Sequence, residues 1–175
     1  TEQQAEKHAA FKAFSDAKLA PRANDFDRRE YLPDDLVSEM VAADCWGGEI
    51  PQEYGGVGLD AVTYGLLNEE IGRGCSNVRN LIGVQGMISS AILRWGSKEQ
   101  KQYWLPKMAS GETVVAFALT EPEVGSDAKN INTTAVLENG EYVLNGRKKW
   151  ISFGQNANLF LLFAQCDGKV TAFLI

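Results

Sequence analysis

Phe117-Ala118-Leu119-Thr120-Glu121-Pro122-Glu123-Val124-Gly125-Ser126-Asp127 is the stretch at which this chain changes character. Sequence with helical periodicity precedes it, and short strand-like runs joined by Asn-Gly turns follow it. Residues 114–119 form an unbroken apolar run, which predicts a strand buried on both faces. Thr120 and Glu121 bring polar groups to its end, and Pro122 cannot donate to a ladder. Gly125-Ser126-Asp127 then turns the backbone with its N–H groups outward. A strand that ends this way can hold a polar ligand.

Working back toward the amino terminus, residues 4–19 carry Ala5, Ala9, Phe11, Phe14, Ala17 and Leu19 among charged neighbours, an amphipathic helix stopped by Pro21. Residues 24–30 read as a polar link. Pro33 opens a second helix with Leu36, Val37, Met40 and Val41 on one face, ending near Asp44. The glycines of residues 46–60 match neither a dinucleotide fingerprint nor a P-loop, and no strand precedes them. They predict a tight loop, with Asp60 capping the next helix over residues 61–73. A longer helix spans residues 78–95, with Gly96 in the left-handed position that ends it. Ser97-Lys98-Glu99-Gln100 is a capping box that starts another helix at once.

Beyond Gly111 the hydrophobic period becomes two. Strands are expected at residues 114–119, 132–137, 141–144, 148–152, 159–165 and 170–175. Asn139-Gly140, Asn145-Gly146 and Asp167-Gly168 supply tight turns. The fold class predicted is α+β: an all-α domain over residues 1–111, then an antiparallel β-barrel or sandwich domain over residues 112–175. The second domain is expected to be cut short, because residues 171–175 end inside an apolar strand with its edge unmatched.

Composition excludes several function classes. Of the 175 residues 45% are hydrophobic, and 17 Lys+Arg against 23 Asp+Glu give a net charge of -6. The longest basic cluster, Arg147-Lys148-Lys149, reads as a solvated strand edge, so no nucleic-acid surface is expected. No apolar run approaches the ~20 residues that cross a bilayer, and the polar amino terminus is no signal peptide. A soluble cytoplasmic protein is the expectation. Cys45, Cys75 and Cys166 are odd in number and dispersed, and His8 is the only histidine. Neither a disulfide framework nor a metal site is expected. The three thiols read as packing residues, and His8 is too far out in a terminal helix to serve a nucleophilic mechanism.

Two strand ends bear on chemistry: residues 120–127 and residues 149–152. Phe117, Leu119 and Trp150 can form an apolar wall, Thr120 and Ser152 offer hydroxyls, and Gly125-Ser126 offers unhindered backbone N–H groups. A flavin needs such a wall, donors at its ring edge and backbone N–H groups at its pyrophosphate.

Four ordered motifs between residues 50 and 155 resemble the acyl-CoA dehydrogenase superfamily. They are Pro51-x-x-Tyr54-Gly55-Gly56-x-Gly58-Leu59, the helix start Gly96-Ser97-Lys98-Glu99-Gln100-Lys101, Thr120-Glu121-Pro122-x-x-Gly125-Ser126-Asp127, and Asn145-Gly146-x-Lys148-x-Trp150-Ile151-Ser152. The resemblance implies an amino-terminal helical domain, a middle β-domain and a carboxy-terminal four-helix domain, with FAD as cofactor. It implies removal of the α-proton of an acyl thioester as the β-hydrogen leaves as hydride for flavin N5. Carried over, Phe117, Leu119, Thr120, Gly125, Ser126, Trp150, Ile151 and Ser152 would contact FAD, with Thr120 and Ser152 bonding its ring, and Ser126 would also contact substrate. A dry site with hydrogen bonds to the developing enolate oxygen makes that α-proton acidic enough for a carboxylate.

Ser152 stands where many members carry Thr, which keeps the hydroxyl, and Phe153 stands where a polar residue is common. The family's catalytic Glu lies in the carboxy-terminal helical domain, so no catalytic residue is expected within residues 1–175, and the fragment alone should be inactive. Glu121 and Asp127 read as structural carboxylates that orient the loop. Residues 75–81 and Arg94-Trp95-Gly96 resemble the subgroup that oxidises short acyl groups on acyl carrier protein in polyketide or peptide extender-unit synthesis. The expected partners are therefore an acyl-CoA or acyl carrier protein thioester and an electron acceptor, with a homo-oligomer at full length. A non-catalytic thioester- or protein-binding module and a flavin oxidase of the same fold are the competing readings.

Overall fold

The computed structural model describes residues 1–33 and 35–175. Two compact units divide the chain, Thr1–Thr113 and Val114–Ile175.

The first unit is helical. Helix α1 (Glu2–Phe14) starts with Thr1 and Gln4 in a reciprocal capping box. It runs on into a π-helical turn, Ser15–Leu19, where the Ala20 amide reaches back to the Ser15 carbonyl. The wider turn seats Ser15 against helix α4 (Ala61–Gly74), and its buried hydroxyl donates to the Glu70 carbonyl at 2.6 Å. Gly74 must lack a side chain here, because a Cβ would overlap the Ser15 hydroxyl. Asp60 caps α4 as expected, accepting from the amides of Val62 and Thr63. Helix α5 (Ser76–Trp95) is the unit's spine and buries Val78, Leu81, Ile82, Ile88 and Ile92. Helix α6 (Lys98–Ala109) opens on the predicted Ser97–Gln100 box. Near its end, the Met108 carbonyl accepts from the Trp46 indole at 2.7 Å and the Gln85 amide at 3.2 Å, which satisfies a buried acceptor that the helix cannot.

Two expectations fail in this unit. The polar link is a helix, α2 (Ala23–Arg29), ended by Glu30 in the left-handed conformation. One buried side chain, Phe26, docks it, and a single large apolar residue leaves no periodicity to detect. Helix α3 (Leu36–Ala42) follows. Gly96 is extended at φ -66°, not left-handed, because the Ser97 cap begins α6 without a reversing turn. Its missing side chain has another use: a Cβ would press on the Ile92 carbonyl.

The second unit is a five-stranded sheet built from β1 (Val115–Ala118), β2 (Thr134–Glu138), β3 (Glu141–Asn145), β4 (Leu159–Cys166) and β5 (Lys169–Leu174). The order β1-β4-β2-β3, with β5 also on β4, makes the sheet mixed and open, not an antiparallel barrel or sandwich. β1 runs parallel to β4, Val115 opposite Leu159 through Ala118 opposite Leu162. Alternation specifies which face is buried but not strand direction, and the long connection from β1 to β4 permits a parallel pair. The antiparallel pairs are the two whose hairpin turns were legible, β2–β3 at Asn139-Gly140 and β4–β5 at Asp167-Gly168. Both turns have positive φ at both residues. The third turn signal misleads. Asn145 ends β3, and Gly146 is needed because a Cβ there would overlap the Thr133 side chain. Residues 148–152 form no strand; Trp150 sits at φ 59°, which no ladder accommodates.

Candidate functional site

The end of β1 is anchored by a buried charge. Glu121 is 4% exposed, and its carboxylate accepts from the Asn132 amide at 2.5 Å, the Thr133 amide at 2.8 Å, the Thr133 hydroxyl at 2.5 Å and the Lys148 ammonium at 2.9 Å. Burial works against its charged form. The bonds from Thr133, Asn132 and Lys148 outweigh it and bring the carboxyl down to about 2. Lys148, its side chain only 10% exposed, donates also to the Leu119 carbonyl at 2.9 Å. The basic triplet is therefore not a wholly solvated edge, since its middle residue turns inward.

The next residue repeats the connection through backbone: the Lys149 amide donates to the Thr120 carbonyl at 2.9 Å. Consecutive residues 148 and 149 thus grip consecutive residues 119, 120 and 121, although no strand pairing exists there. Of the candidate residues, Leu119 and Thr120 are brought beside the segment that carries Trp150, Ile151 and Ser152. Thr120 is half-buried, Ile151 likewise, and Ser152 is exposed at the start of a turn over residues 152–156. Phe117 is half-buried on β1, with its ring 5.1 Å from that of Phe163, so it serves the sheet as well as any wall. Reciprocal Glu121–Val124 backbone bonds at 2.8 and 3.3 Å close the loop that leads to Gly125 and Ser126, both exposed. Asp127 is local, accepting from the Asn130 side chain at 2.6 Å.

Trp150 is the unusual residue. It is 80% exposed, holds a left-handed backbone that a bulky side chain rarely adopts, and carries the Lys149 ammonium 4.7 Å from its ring centroid. An exposed indole on an unfavourable backbone is the kind of strained residue that clusters at functional sites. The Lys149 amide bond to the Thr120 carbonyl brings Thr120 beside the segment that carries Trp150 and Ser152, two hydroxyls and one exposed indole on adjoining stretches of chain.

The Gly-rich loop does not offer a phosphate cradle. The amides of residues 54–59 donate to the carbonyls of Pro51, Gln52, Gly47, Ile50 and Gly48, so they are turned inward. Gly56 exists for packing, since a Cβ would overlap the Ile50 carbonyl. Beside this loop Glu49, Tyr64, Gln85, Gly86 and Ser89 line a cavity of about 10 Å³, room for about one water. Burial raises the Glu49 carboxyl against a partial offset from Tyr64, and pushes the Tyr64 phenol up to about 12. This polar cluster was not foreseen, as nothing in the spacing of Glu49 and Tyr64 marks them as neighbours. Lys148 and Thr133 were also missed as site residues, although the fixed Asn145-Gly146-x-Lys148 spacing was a usable signal.

Burial pushes the Cys45 thiol up to about 12, which makes it unreactive. Among the described residues no group of three His, Cys, Asp or Glu is placed to hold a metal ion, and no helix is long and apolar enough to cross a membrane.

Comparison with known proteins identifies the family of the chain. The acyl-CoA dehydrogenase N-terminal domain matches residues 1–112 and the acyl-CoA dehydrogenase middle domain matches residues 116–175. The chain is 37% identical over 168 residues to the human mitochondrial short-chain specific acyl-CoA dehydrogenase, covering 93% of this chain and 41% of that protein. It is 36% identical over 165 residues to an acyl-CoA dehydrogenase of Bacillus subtilis, covering 94% of this chain and 44% of that one. A glutaryl-CoA dehydrogenase of Mycobacterium smegmatis, solved in complex with FADH2, superposes with a TM-score of 0.94 at 34% identity, over 100% of this chain and 45% of that one. The chain spans less than half the length of these relatives. With a domain model of one family matched on each side of the boundary between the two units, the chain belongs to the acyl-CoA dehydrogenase family.

Proposed function

We propose that the full-length protein is an FAD-dependent dehydrogenase of acyl thioesters and that its β unit carries one wall of the flavin site. The observation that carries this is Trp150, exposed and left-handed, fixed beside Thr120 by the Lys149 amide. Trp150 and Ile151 supply the flat apolar surface, with Phe117 and Leu119 behind it. Thr120 and Ser152 donate to the ring edge, and the Gly125–Ser126 turn presents backbone N–H groups, with Ser126 also reaching the thioester. When bound, FAD supplies the acceptor for the β-hydrogen as hydride. The relative from M. smegmatis, solved with FADH2, supports this cofactor.

The base that takes the α-proton is not Glu121. A carboxyl held near 2, 4% exposed and already accepting from four donors of the protein, is too weak and too enclosed a base for that proton. By the family resemblance the proton acceptor would lie in a part of the full-length protein outside residues 1–175, and this stretch alone would not turn substrate over. The thioester is a short acyl group, in keeping with the likeness to short-chain specific relatives. The motif resemblance at residues 75–81 favours a carrier-protein arm over free CoA, and a faster rate on acyl-CoA than on the matching acyl carrier protein would count against it.

The wall is tested by Trp150→Ala in the full-length protein. Because the side chain is exposed, stability should change by no more than about 1 kcal/mol, while FAD affinity falls about tenfold or more. Parent-like FAD binding by the folded variant would remove Trp150 from the site.

A further inference from the structure

The Glu121–Lys148 pair is more than the core of the β unit needs. Replacing a buried ion pair with apolar residues of similar size is often neutral or stabilising, so burial of these charges does not explain itself by stability. What the pair does geometrically is specific. Lys148 spans from the Glu121 carboxylate to the Leu119 carbonyl, both at 2.9 Å, and so fixes the end of β1 against a segment that has no strand pairing of its own. The carboxylate in turn holds the amides of Asn132 and Thr133 at the entry to β2. Three stretches of chain meet on one carboxylate. Gly146 completes the arrangement, since any side chain there would displace Thr133 and with it the hydroxyl donated to Glu121. Two residues beyond Lys148 stands Trp150, in a backbone conformation that would relax if the segment were released.

We propose that Glu121 and Lys148 are positioning residues of the flavin site, a charged clamp that sets residues 119–121 against residues 148–150 so that Thr120 and Trp150 address one ring together. Neither side chain touches the cofactor; both act through the backbone they hold. The proposal rests on the flavoprotein assignment above. A site whose supporting contacts are loosened by about an ångström loses function while its own residues remain in place.

The test uses the full-length protein and three readouts: FAD affinity of the flavin-free form, quenching of flavin fluorescence on binding, and amide exchange at Lys149 without flavin. Lys148→Met strands a buried carboxylate and can fail to fold, so the double variant Glu121→Gln/Lys148→Met, neutral and near in volume, carries the experiment. The expected result is a folded double variant that binds FAD about tenfold or more weakly, quenches it less, and exchanges the Lys149 amide about tenfold or more faster before flavin is added. Parent-like affinity and quenching in the folded double variant would overturn the positioning role alone, as would unchanged Lys149 exchange. A parent protein that binds no FAD would overturn the flavoprotein assignment and the clamp's purpose with it.

Discussion

Glu121 carries its charge inside the protein, and its acidity makes the folded state sensitive to acid. Its carboxyl moves from an ordinary value near 4.5 down to about 2, so the folded form binds a proton less readily than the unfolded chain. The stabilisation is complete above pH 4.5, declines as pH falls, and is gone below about 2; the shift corresponds to about 3 kcal/mol. Urea midpoints of the full-length protein between pH 5 and pH 2.5, followed by tryptophan fluorescence, should fall more steeply for the parent than for Glu121→Gln. Identical slopes would mean that the carboxyl titrates normally. Glu70 adds a smaller component of the same sign: burial opposes its charge, but Arg73 at 2.8 Å and His8 at 2.8 Å hold it lowered. At this scale the sequence showed which residue types stood at the strand ends but not which would be buried. Glu121 is legible as structural from Pro122 and the loop after it. Lys148 is not, because a lysine flanked by Arg147 and Lys149 looks solvated until the fold closes over it.

At the scale of elements, legibility follows how much local chemistry each element carries. The starts of α4 and α6 are specified by side chains within three residues, Asp60 and the Ser97–Gln100 box, and both form where expected. Two hairpins follow from Asn139-Gly140 and Asp167-Gly168, whose left-handed backbones only a few residue types tolerate. Helix α2 was hidden because its one buried side chain is Phe26, and its local i,i+4 support, an Asp25–Arg29 pair at 3.0 Å and an Arg28 side-chain bond to the Asn24 carbonyl at 3.2 Å, comes from polar residues that read equally well as a link. Phe26→Ala should therefore destabilise the helical unit by about 3–5 kcal/mol in thermal unfolding. A loss under about 1 kcal/mol would show that α2 stands without it. Gly146 was read as a turn and is a close approach, a distinction set by Thr133, thirteen positions away. Gly146→Ala should cost about 1–3 kcal/mol through that overlap, measured by urea unfolding, and should weaken FAD binding through the displaced Thr133.

For the whole molecule, the helical unit and the β unit were distinguishable from period alone, because apolar spacing shifts from helical to alternating beyond Gly111. The direction of β4 against β1 was not, because parallel pairing depends on the course of some forty intervening residues rather than on either strand. The proposed function joins these levels in one claim: in the full-length protein a strand end, a clamped loop and an outward indole would hold FAD where a short acyl thioester would give up its β-hydrogen. The most direct measurement is anaerobic titration of the full-length flavoprotein with a saturated short-chain acyl thioester, following the visible flavin absorption. The account predicts that the band bleaches stoichiometrically and that the matching 2-enoyl thioester forms. A protein that holds FAD but keeps its absorption unchanged with every saturated thioester offered, while fully reduced by dithionite, would contradict it.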